Sequence, residues 1–125
     1  GYKPWARWLS GGDVGVDPKI MGIAPAYAVP QALKRAGIKM SQLDVMECNE
    51  AFASVPAAWL QSLGADPAKL NVNGGAIALG HPLGASGTKL MSTLIYALKA
   101  RGKKWGLQTM CEGGGLANAT IIEIL

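Results

Sequence analysis

The sequence has few of the residues that form disulfide bonds in small secreted domains or bind metals. It holds two cysteines, Cys48 and Cys111, and one histidine, His81, among 125 residues. Two cysteines do not make a disulfide framework in a chain of this size, and a single histidine without a Cys-x-x-Cys pair does not predict a metal site. We therefore expect free thiols in a reducing compartment, no bound metal and, by default, a cytoplasmic protein.

Long apolar segments are also missing. Apolar residues make up 50% of the composition, but they occur in short runs, and none approaches the roughly 18 residues that span a bilayer. No membrane association is predicted. The first five residues, GYKPW, show neither an initiator methionine nor the charged-then-apolar pattern of a signal peptide. We expect a soluble chain that begins at an internal or processed position, as a fragment would.

The distribution of charge disfavours another class of partner. The net charge is +4, yet the basic residues are dispersed over predicted helix ends and turns, as at Lys34, Arg35, Lys103 and Lys104. A positive surface favours an anionic cofactor. No basic stripe with interleaved aromatic residues is present, so nucleic-acid binding is not expected.

The sequence does contain alternating strand and helix patterns, in a chain long enough for one compact domain over residues 1–125. Glycines end the predicted helices at Gly37, Gly64 and Gly102. The pattern predicts an α/β fold, a layered domain with a mixed five-stranded sheet that closes in an antiparallel hairpin. The predicted strands are 5–16 with a bend or bulge, 44–48, 70–73, 105–110 and 116–125, and the predicted helices are 26–36 with Pro30 in the first turn, 50–63 and 84–100.

Three segments place reactive or polar residues where a predicted strand ends, which is where open α/β sheets carry their sites. One starts at Asn49, the second holds His81 between glycines just before a helix, and the third holds Cys111 before the triple glycine 113–115. Glycine allows other backbone to approach His81 closely. The backbone N–H groups of the triple glycine are unobstructed, as an oxyanion-binding turn requires. The pattern predicts a histidine that activates a thiol and a cysteine that shuttles protons.

Each of these residues also has a simpler interpretation. His81 suits a turn beside proline, Cys111 suits a small buried side chain at a strand end, and Asn49 suits a helix cap, which does not exclude holding a water. Glu50 and Glu112 are interpreted as structural or surface residues, because nothing pairs them as carboxylate catalysts. The four tryptophans and the apolar face of the last helix are interpreted as core or domain interface.

Taken together, several stretches resemble the C-terminal signatures of thiolases. They are NEAFA at 49–53, NGGAIALGHPLGASG at 73–87 and CEGGG at 111–115, in the family's order and spacing, and MGIAP at 21–25 also fits. The resemblance covers nearly the whole chain. It implies a thiolase-like half with α-β-α layers and with part of an acyltransferase site, for thiolytic cleavage of 3-ketoacyl-CoA or Claisen condensation of acetyl-CoA.

The resemblance implies roles for four residues. His81 matches the histidine that activates the nucleophilic cysteine and helps to bind the thioester oxygen, and Asn49 matches the residue that holds a water in that oxyanion hole. Cys111 matches the acid/base cysteine that takes the α-proton of acetyl-CoA in synthesis or protonates its enolate in degradation. The N–H of Gly113 matches a donor of the second oxyanion hole. Nearby dipoles and hydrogen bonds can tune a thiol of ordinary pKa, about 8.5, toward neutrality for such work.

The resemblance also implies what lies outside this chain. The family's nucleophilic cysteine and most of its coenzyme A contacts lie in an N-terminal half, so we expect such a partner, as a separate chain or a cleaved part, in a homo- or hetero-oligomer. Coenzyme A is expected as a substrate, with no permanently bound cofactor, and the chain alone is expected to be inactive. Cys48 is interpreted as packing and not as a substitute nucleophile.

Two alternatives stay open on the same resemblance. One is a non-catalytic thiolase-like module for assembly or lipid binding, against which the retained catalytic side chains argue. The other is a ketoacyl synthase, which uses a related fold and a cysteine nucleophile. Its catalytic set differs, and the CEGGG turn at 111–115 favours a thiolase.

Overall fold

Four strands form one mixed sheet in the computed structural model, which describes all residues from 1 to 125. They are β1 (Ala6–Gly15), β2 (Val45–Cys48), β3 (Trp105–Glu112) and β4 (Leu116–Ile124), in the spatial order β1-β4-β3-β2. β4 pairs antiparallel with β1 and β3, whereas β2 pairs parallel with β3. Because β2 and β3 run in the same direction, their carboxyl ends meet at one edge of the sheet. The residues that end these two strands are therefore neighbours.

Helices cover both faces of the sheet, which confirms the layered α/β prediction. They are α1 (Ala24–Ala36), α2 (Ser54–Leu63), the four-residue α3 (Ala76–Leu79) and α4 (Ser86–Ala100), with 3-10 helices at Pro18–Ile23, Met40–Gln42 and Pro67–Lys69. α1 and α2 contribute to the larger hydrophobic cluster on one face, and α4 packs against Val45 and Ile122 on the other. No helix combines the length and apolar composition that a bilayer crossing requires.

The predicted glycine stops are confirmed by their backbone conformation. Gly37 has φ 70°, and its N–H donates to the carbonyls of Leu33 and Lys34, two of the last four carbonyls of α1. Gly64 ends α2 with φ 59°, and Gly102 follows α4 with φ 60°. Glycine takes this left-handed conformation without the steric penalty of a side chain. These helix ends are thus set locally, by the sequence itself.

The irregularity predicted in the first strand is also present. The register between β1 and β4 shifts between Trp8 and Ser10, so β1 carries a bulge there. Gly12 then lies so close to α1 that an added Cβ would be 2.5 Å from the carbonyl oxygen of Ala28. The small residue allows the helix to lie directly on the strand, which positions α1 over the sheet.

The predicted position of Pro30 in the first turn of its helix is wrong. α1 begins at Ala24, with Pro25 in its first turn, so Pro30 is the seventh residue of the helix. The N–H groups of the first helical turn have no acceptor within the helix, so a proline at N1 or N2 loses no hydrogen bond. The fixed φ of Pro25 therefore favours a helix that starts at this position. Pro30 cannot donate to the carbonyl of Ala26, so one helical hydrogen bond is missing inside α1.

The prediction of a fifth strand at 70–73 is wrong as well. Leu70 makes a single parallel bridge with Met46 of β2. The next residue, Asn71, has φ 47°, a left-handed conformation that turns the chain away from the sheet. Its own N–H still donates to the carbonyl of Met46, at 2.8 Å. The sheet therefore has four strands and a one-residue extension beside β2.

Two predicted helices begin later than their patterns indicated. α2 begins at Ser54 and not at residue 50, and α4 begins at Ser86 and not at residue 84. Residues 49–53 form an irregular connection, because the Glu50 carboxylate is held by donors from a distant loop. Asn49 therefore lies outside α2, at the edge of the sheet where β2 ends.

Candidate active site

Asn49 follows the last residue of β2 and extends its pairing by one step. Its N–H donates to the carbonyl of Thr109 in β3, at 3.0 Å. The side chain is almost fully buried, with 1% of the residue exposed. Its Nδ2 lies 3.4 Å from Nε2 of His81, and its buried Oδ1 has no hydrogen-bond partner within the protein. The strand ladder thus fixes the backbone of Asn49, and the amide faces the histidine.

We infer from the contacts of His81 which ring nitrogen carries the proton. Nδ1 lies 2.6 Å from Oγ of Ser86, and that hydroxyl donates to the carbonyl of Pro82 at 3.0 Å. Because the serine proton is already used, Oγ accepts a hydrogen bond from Nδ1–H. Nε2 is then unprotonated and accepts from the amide of Asn49. A histidine in this tautomer can take a proton from a thiol through Nε2.

The loop that leads to His81 is attached to α4. Nζ of Lys89 donates to the carbonyls of Leu79 and Gly80, at 2.6 and 3.1 Å. Ser86, the first residue of α4, holds the ring from the other side. The imidazole is therefore positioned by groups from both sides of the loop, and α4 supplies both.

Cys111 lies near the end of β3, in the hydrophobic cluster on the α1 and α2 face of the sheet. It is 8% exposed. Burial raises the pKa of its thiol, and the charge of Glu112 raises it further, while a backbone hydrogen bond acts in the opposite direction. This direction is opposite to the tuning toward neutrality that we expected, because removal from water outweighs the nearby dipoles. Within this chain the thiol is held in its protonated form.

Cys48 differs from Cys111 in its burial. It has no exposed surface, and burial followed by the charges of Cys111, Glu50 and Glu47 raises its pKa well above the ordinary range. A thiolate, and not a thiol, is the nucleophile in cysteine chemistry. These properties agree with the interpretation of Cys48 as a packing residue.

The glycine turn that follows Cys111 is fixed at one end and open at the other. Gly115 has φ 84°, and an added Cβ would lie 2.3 Å from the carbonyl oxygen of Val16. The N–H of Val16 donates to the carbonyl of Gly115 at 2.8 Å. No atom lies within 4 Å of a Cβ built on Gly113. The open end of the turn is thus accessible to a ligand.

The structure joins two of the four predicted site residues directly and brings a third beside them. Asn49 and His81 are in contact. Asn49 pairs with Thr109, which lies two residues before Cys111 on the adjacent strand, so both strand ends share one edge of the sheet. Gly113 begins the turn just beyond. No hydrogen bond links the Cys111 thiol to Asn49 or to His81.

The surroundings of the site include a small cavity and an exposed apolar surface. Behind Asn49 and Ser86 lies a cavity of about 10 Å³, room for one water-sized particle and not for an acyl group. The segments that carry the site expose large apolar side chains on their outer side. These are Phe52, Ile77, Leu79 and Leu83, each at least half exposed. The exposed surface of these segments is therefore apolar.

Three residues that contact the site residues or their loops were missed by sequence reasoning. Glu50 was interpreted as structural or surface, and Asn71 and Ser86 were not singled out. Glu50 directly follows Asn49, and Ser86 lies at a helix start five residues after His81, so proximity to the candidates was the available signal. No three side chains of the kinds that bind metals converge anywhere in the chain.

The chain is similar to known thiolases along its whole length. Residues 2–124 match the family described as "Thiolase, C-terminal domain". All 125 residues align, at 51% identity, with 32% of an acetyl-CoA acetyltransferase of Shinella zoogloeoides, and, at 52% identity, with 31% of a steroid 3-ketoacyl-CoA thiolase of Mycobacterium tuberculosis. The chain thus spans about a third of the length of these curated relatives.

Solved structures agree with these sequence matches. Human mitochondrial 3-ketoacyl-CoA thiolase superposes with a TM-score of 0.95 at 47% identity, over 98% of this chain and 31% of that one. The Bacillus anthracis acetyl-CoA acetyltransferase superposes with a TM-score of 0.96 at 42% identity and the same coverage. The mixed sheet, the helices on both of its faces and these similarities show that the chain belongs to the thiolase family, as a C-terminal domain.

Proposed function

We propose that this chain supplies half of the active site of an acyltransferase that cleaves 3-ketoacyl-CoA with coenzyme A or condenses acetyl-CoA in the reverse direction. The observation that carries the proposal is the series of contacts Ser86–His81–Asn49, which fixes the position of the imidazole. In the proposed mechanism its Nε2 is unprotonated. An N-terminal half supplies the nucleophilic cysteine. Names of relatives at about 50% identity support this class of reaction.

In the cleavage direction, His81 prepares the nucleophile. Nε2 takes the proton of the cysteine thiol, and the thiolate attacks the 3-keto carbon. When the tetrahedral intermediate collapses, the bond between C2 and C3 breaks, the acyl group stays on sulfur, and acetyl-CoA leaves as its enolate. The Nδ1–H···Ser86 bond stabilises the imidazolium that forms, since it fixes the ring with Nε2 toward the reacting atoms.

Cys111 then completes the cleavage as a general acid. Its raised pKa keeps the thiol protonated at neutral pH, so a proton is ready for the α-carbon of the departing enolate. In the proposed second oxyanion hole, the N–H of Gly113 donates to the enolate oxygen. The Cys111 thiolate then takes the thiol proton of a free coenzyme A, whose sulfur attacks the acyl carbon, and the nucleophilic cysteine leaves as a thiolate that recovers its proton from the His81 imidazolium. In the synthetic direction the same thiol, as thiolate, removes the α-proton.

The exposed apolar side chains around the site support a partner surface. Phe52, Ile77, Leu79 and Leu83 project from the segments that carry the site, and the chain spans about a third of its curated relatives. The N-terminal half, as a separate chain or a cleaved part, covers this surface in a homo- or hetero-oligomer. It also supplies most contacts to coenzyme A, which acts as a substrate. We keep the cytoplasm as the proposed compartment.

The test is Cys111→Ala in the assembled enzyme, which is this chain combined with its N-terminal half. The unchanged enzyme is expected to cleave acetoacetyl-CoA when free coenzyme A is added. The variant should lose about a thousandfold in kcat, because general acid–base catalysis contributes roughly 10² to 10⁴. Cys48→Ala is the matched control and should keep most of the activity.

Two outcomes would count against the proposal. A Cys111→Ala rate within a few-fold of the unchanged enzyme would remove this thiol from proton transfer. No cleavage at all by an assembled, folded enzyme would instead favour the non-catalytic assembly or lipid-binding module. Native mass measurement distinguishes the second case early, because that module needs no N-terminal partner.

A further inference from the structure

The Glu50 carboxylate joins the connection after β2 to the loop before His81. Oε1 accepts from Nδ2 of Asn71 at 2.9 Å, and Oε2 accepts from the N–H of Ile77 at 3.0 Å. Glu50 is the neighbour of Asn49, and Ile77 lies four residues before His81. One carboxylate therefore spans the two segments that carry the Asn49–His81 pair.

Asn71 attaches this carboxylate to the sheet. Its Oδ1 accepts from the N–H of Cys48 at 2.9 Å, and its Nδ2 donates to the carbonyl of Cys48 at 3.0 Å as well as to Glu50. The amide thus pairs with β2 in the way a neighbouring strand would. Its left-handed backbone, φ 47°, turns the chain so that the side chain faces the strand end.

The Glu50 carboxylate occupies the space that a side chain at residue 75 would need. A Cβ added there would lie 2.3 Å from the carboxyl carbon of Glu50. Gly75 also precedes α3, whose first turn supplies the Ile77 N–H. The carboxylate therefore rests directly on the loop backbone, held by two donors and by close packing.

We propose that Glu50 and Asn71 are positioning residues that set the distance between the Asn49 amide and the His81 ring. This inference rests on the proposed acyltransferase function. The separation of 3.4 Å is at the long end for a hydrogen bond, so a shift of a few tenths of an ångström would break the pairing. Groups that stabilise developing charge act in the transition state, so a loss of position lowers kcat and leaves KM nearly unchanged.

Glu50→Gln is the most direct test, because it keeps the size of the side chain. The carboxylate offers two acceptor atoms to two donors, whereas glutamine offers one and turns an NH₂ group toward a donor. In the assembled enzyme we expect kcat to fall 10- to 100-fold and KM to change less than about threefold. Glu123→Gln is the matched control, since that glutamate also loses two partners but lies in a different ion-pair cluster.

Two further variants approach the same contact from other residues. Asn71→Gly keeps the left-handed backbone and removes the side-chain bonds, so its effect does not come from backbone strain. Gly75→Ala keeps every hydrogen-bonding group and displaces the carboxylate. Both should lower kcat as Glu50→Gln does. The double variant Gly75→Ala with Glu50→Gln should be little worse than either alone, because both break one interaction.

A readout that needs no turnover keeps the inference testable by itself. His81 is the only histidine of the chain, so ring-nitrogen NMR of the assembled enzyme, with only this chain labelled, reports its tautomer directly. We expect a single tautomer protonated at Nδ1 in the unchanged chain and in Glu123→Gln, and a mixture or broadened ring signals in Glu50→Gln. Unchanged ring signals in Glu50→Gln would overturn the positioning role.

The activity assay separates this inference from the proposed function. If the assembled enzyme is active and Glu50→Gln keeps kcat within twofold, the positioning role is wrong and the acyltransferase stands. If Glu50→Gln and Glu123→Gln lower kcat alike, in proportion to their melting temperatures, Glu50 is structural only. If the enzyme is inactive but the ring signals of Glu50→Gln change, the positioning role stands and the proposed function fails.

Discussion

At the edge of the sheet where β4 ends, a glutamate forms ion pairs with two basic residues. At the opposite edge, where β2 ends, two glutamates form no ion pair. Glu123, where β4 ends beside the start of β3, accepts from Arg7 and from Lys104, the latter at 2.8 Å. Glu47 and Glu50, at the carboxyl end of β2, make no ion pair. Glu50 is satisfied by an amide and a backbone N–H, and neither Glu47 oxygen has a partner within the chain.

The difference separates the part of the sheet that maintains the fold from the part that carries the site. Ion pairs with exposed partners contribute little to stability and tolerate movement. Directional bonds to buried groups fix positions, and buried polar atoms without partners are rare away from functional sites. Three of the five such atoms in the chain, both carboxylate oxygens of Glu47 and the Oδ1 of Asn49, belong to the segment that enters the site. The site edge thus has well-defined geometry and includes buried polar atoms that lack partners.

Glu47→Gln should produce the largest change in the pH dependence of the free energy of unfolding. It should also show most clearly how the two edges differ. Burial, followed by the charge of Glu50, raises the pKa of Glu47 to about 7. Between pH 4.5 and 7 the folded chain therefore holds a proton that the unfolded chain has released, so stability falls as pH rises through this range. The loss amounts to about 3 kcal/mol when both states are fully ionised.

The measurement is urea unfolding of the chain at pH 5 and at pH 8. The unchanged chain should be less stable at pH 8, and Glu47→Gln should remove most of that decrease because glutamine does not titrate. An equal decrease in the variant would show that another group is responsible. Glu47 would then not be the residue that makes stability at this edge depend on pH.

What could be predicted from the sequence depends on whether a feature is set locally. The stops at Gly37 and Gly64 were predicted because the left-handed conformation is a property of the residue itself. The start of α2 was missed, since Glu50 is captured by Ile77, 27 residues further along the chain. Asn71 ended the expected fifth strand in the same way, through its contacts with β2.

The site shows the same division. Asn49, His81 and Cys111 were found because polar residues at strand ends and before a helix are visible in the pattern. Ser86 was missed, because its role depends on which ring nitrogen it meets. Burial of Cys111 reversed the expected direction of its pKa, which only the three-dimensional packing determines.

Ser86→Ala should have an intermediate effect, on catalysis and not on the fold. It removes the acceptor of Nδ1–H, so the ring loses its preferred tautomer, and we expect kcat of the assembled enzyme to fall roughly tenfold, the equivalent of about 1.4 kcal/mol. Thr88→Ala is the matched control, because its hydroxyl donates to the carbonyl of Ala85 in the same helical turn without touching His81. Equal activities of the two variants would argue against tautomer control.

Glu123→Gln should have the smallest effect, and its pH dependence should be opposite in sign to that of Glu47. Hydrogen bonds from Lys104 and Arg7 lower the pKa of Glu123. Its contribution to stability is thus present above the pKa of the unfolded chain, near 4.5, and is lost as pH falls through the lower folded value. At pH 7 we expect a small decrease in melting temperature that shrinks as salt is added, because exposed partners are screened. A large decrease that salt does not change would mean that both edges of the sheet depend on buried polar contacts, and the contrast between them would disappear.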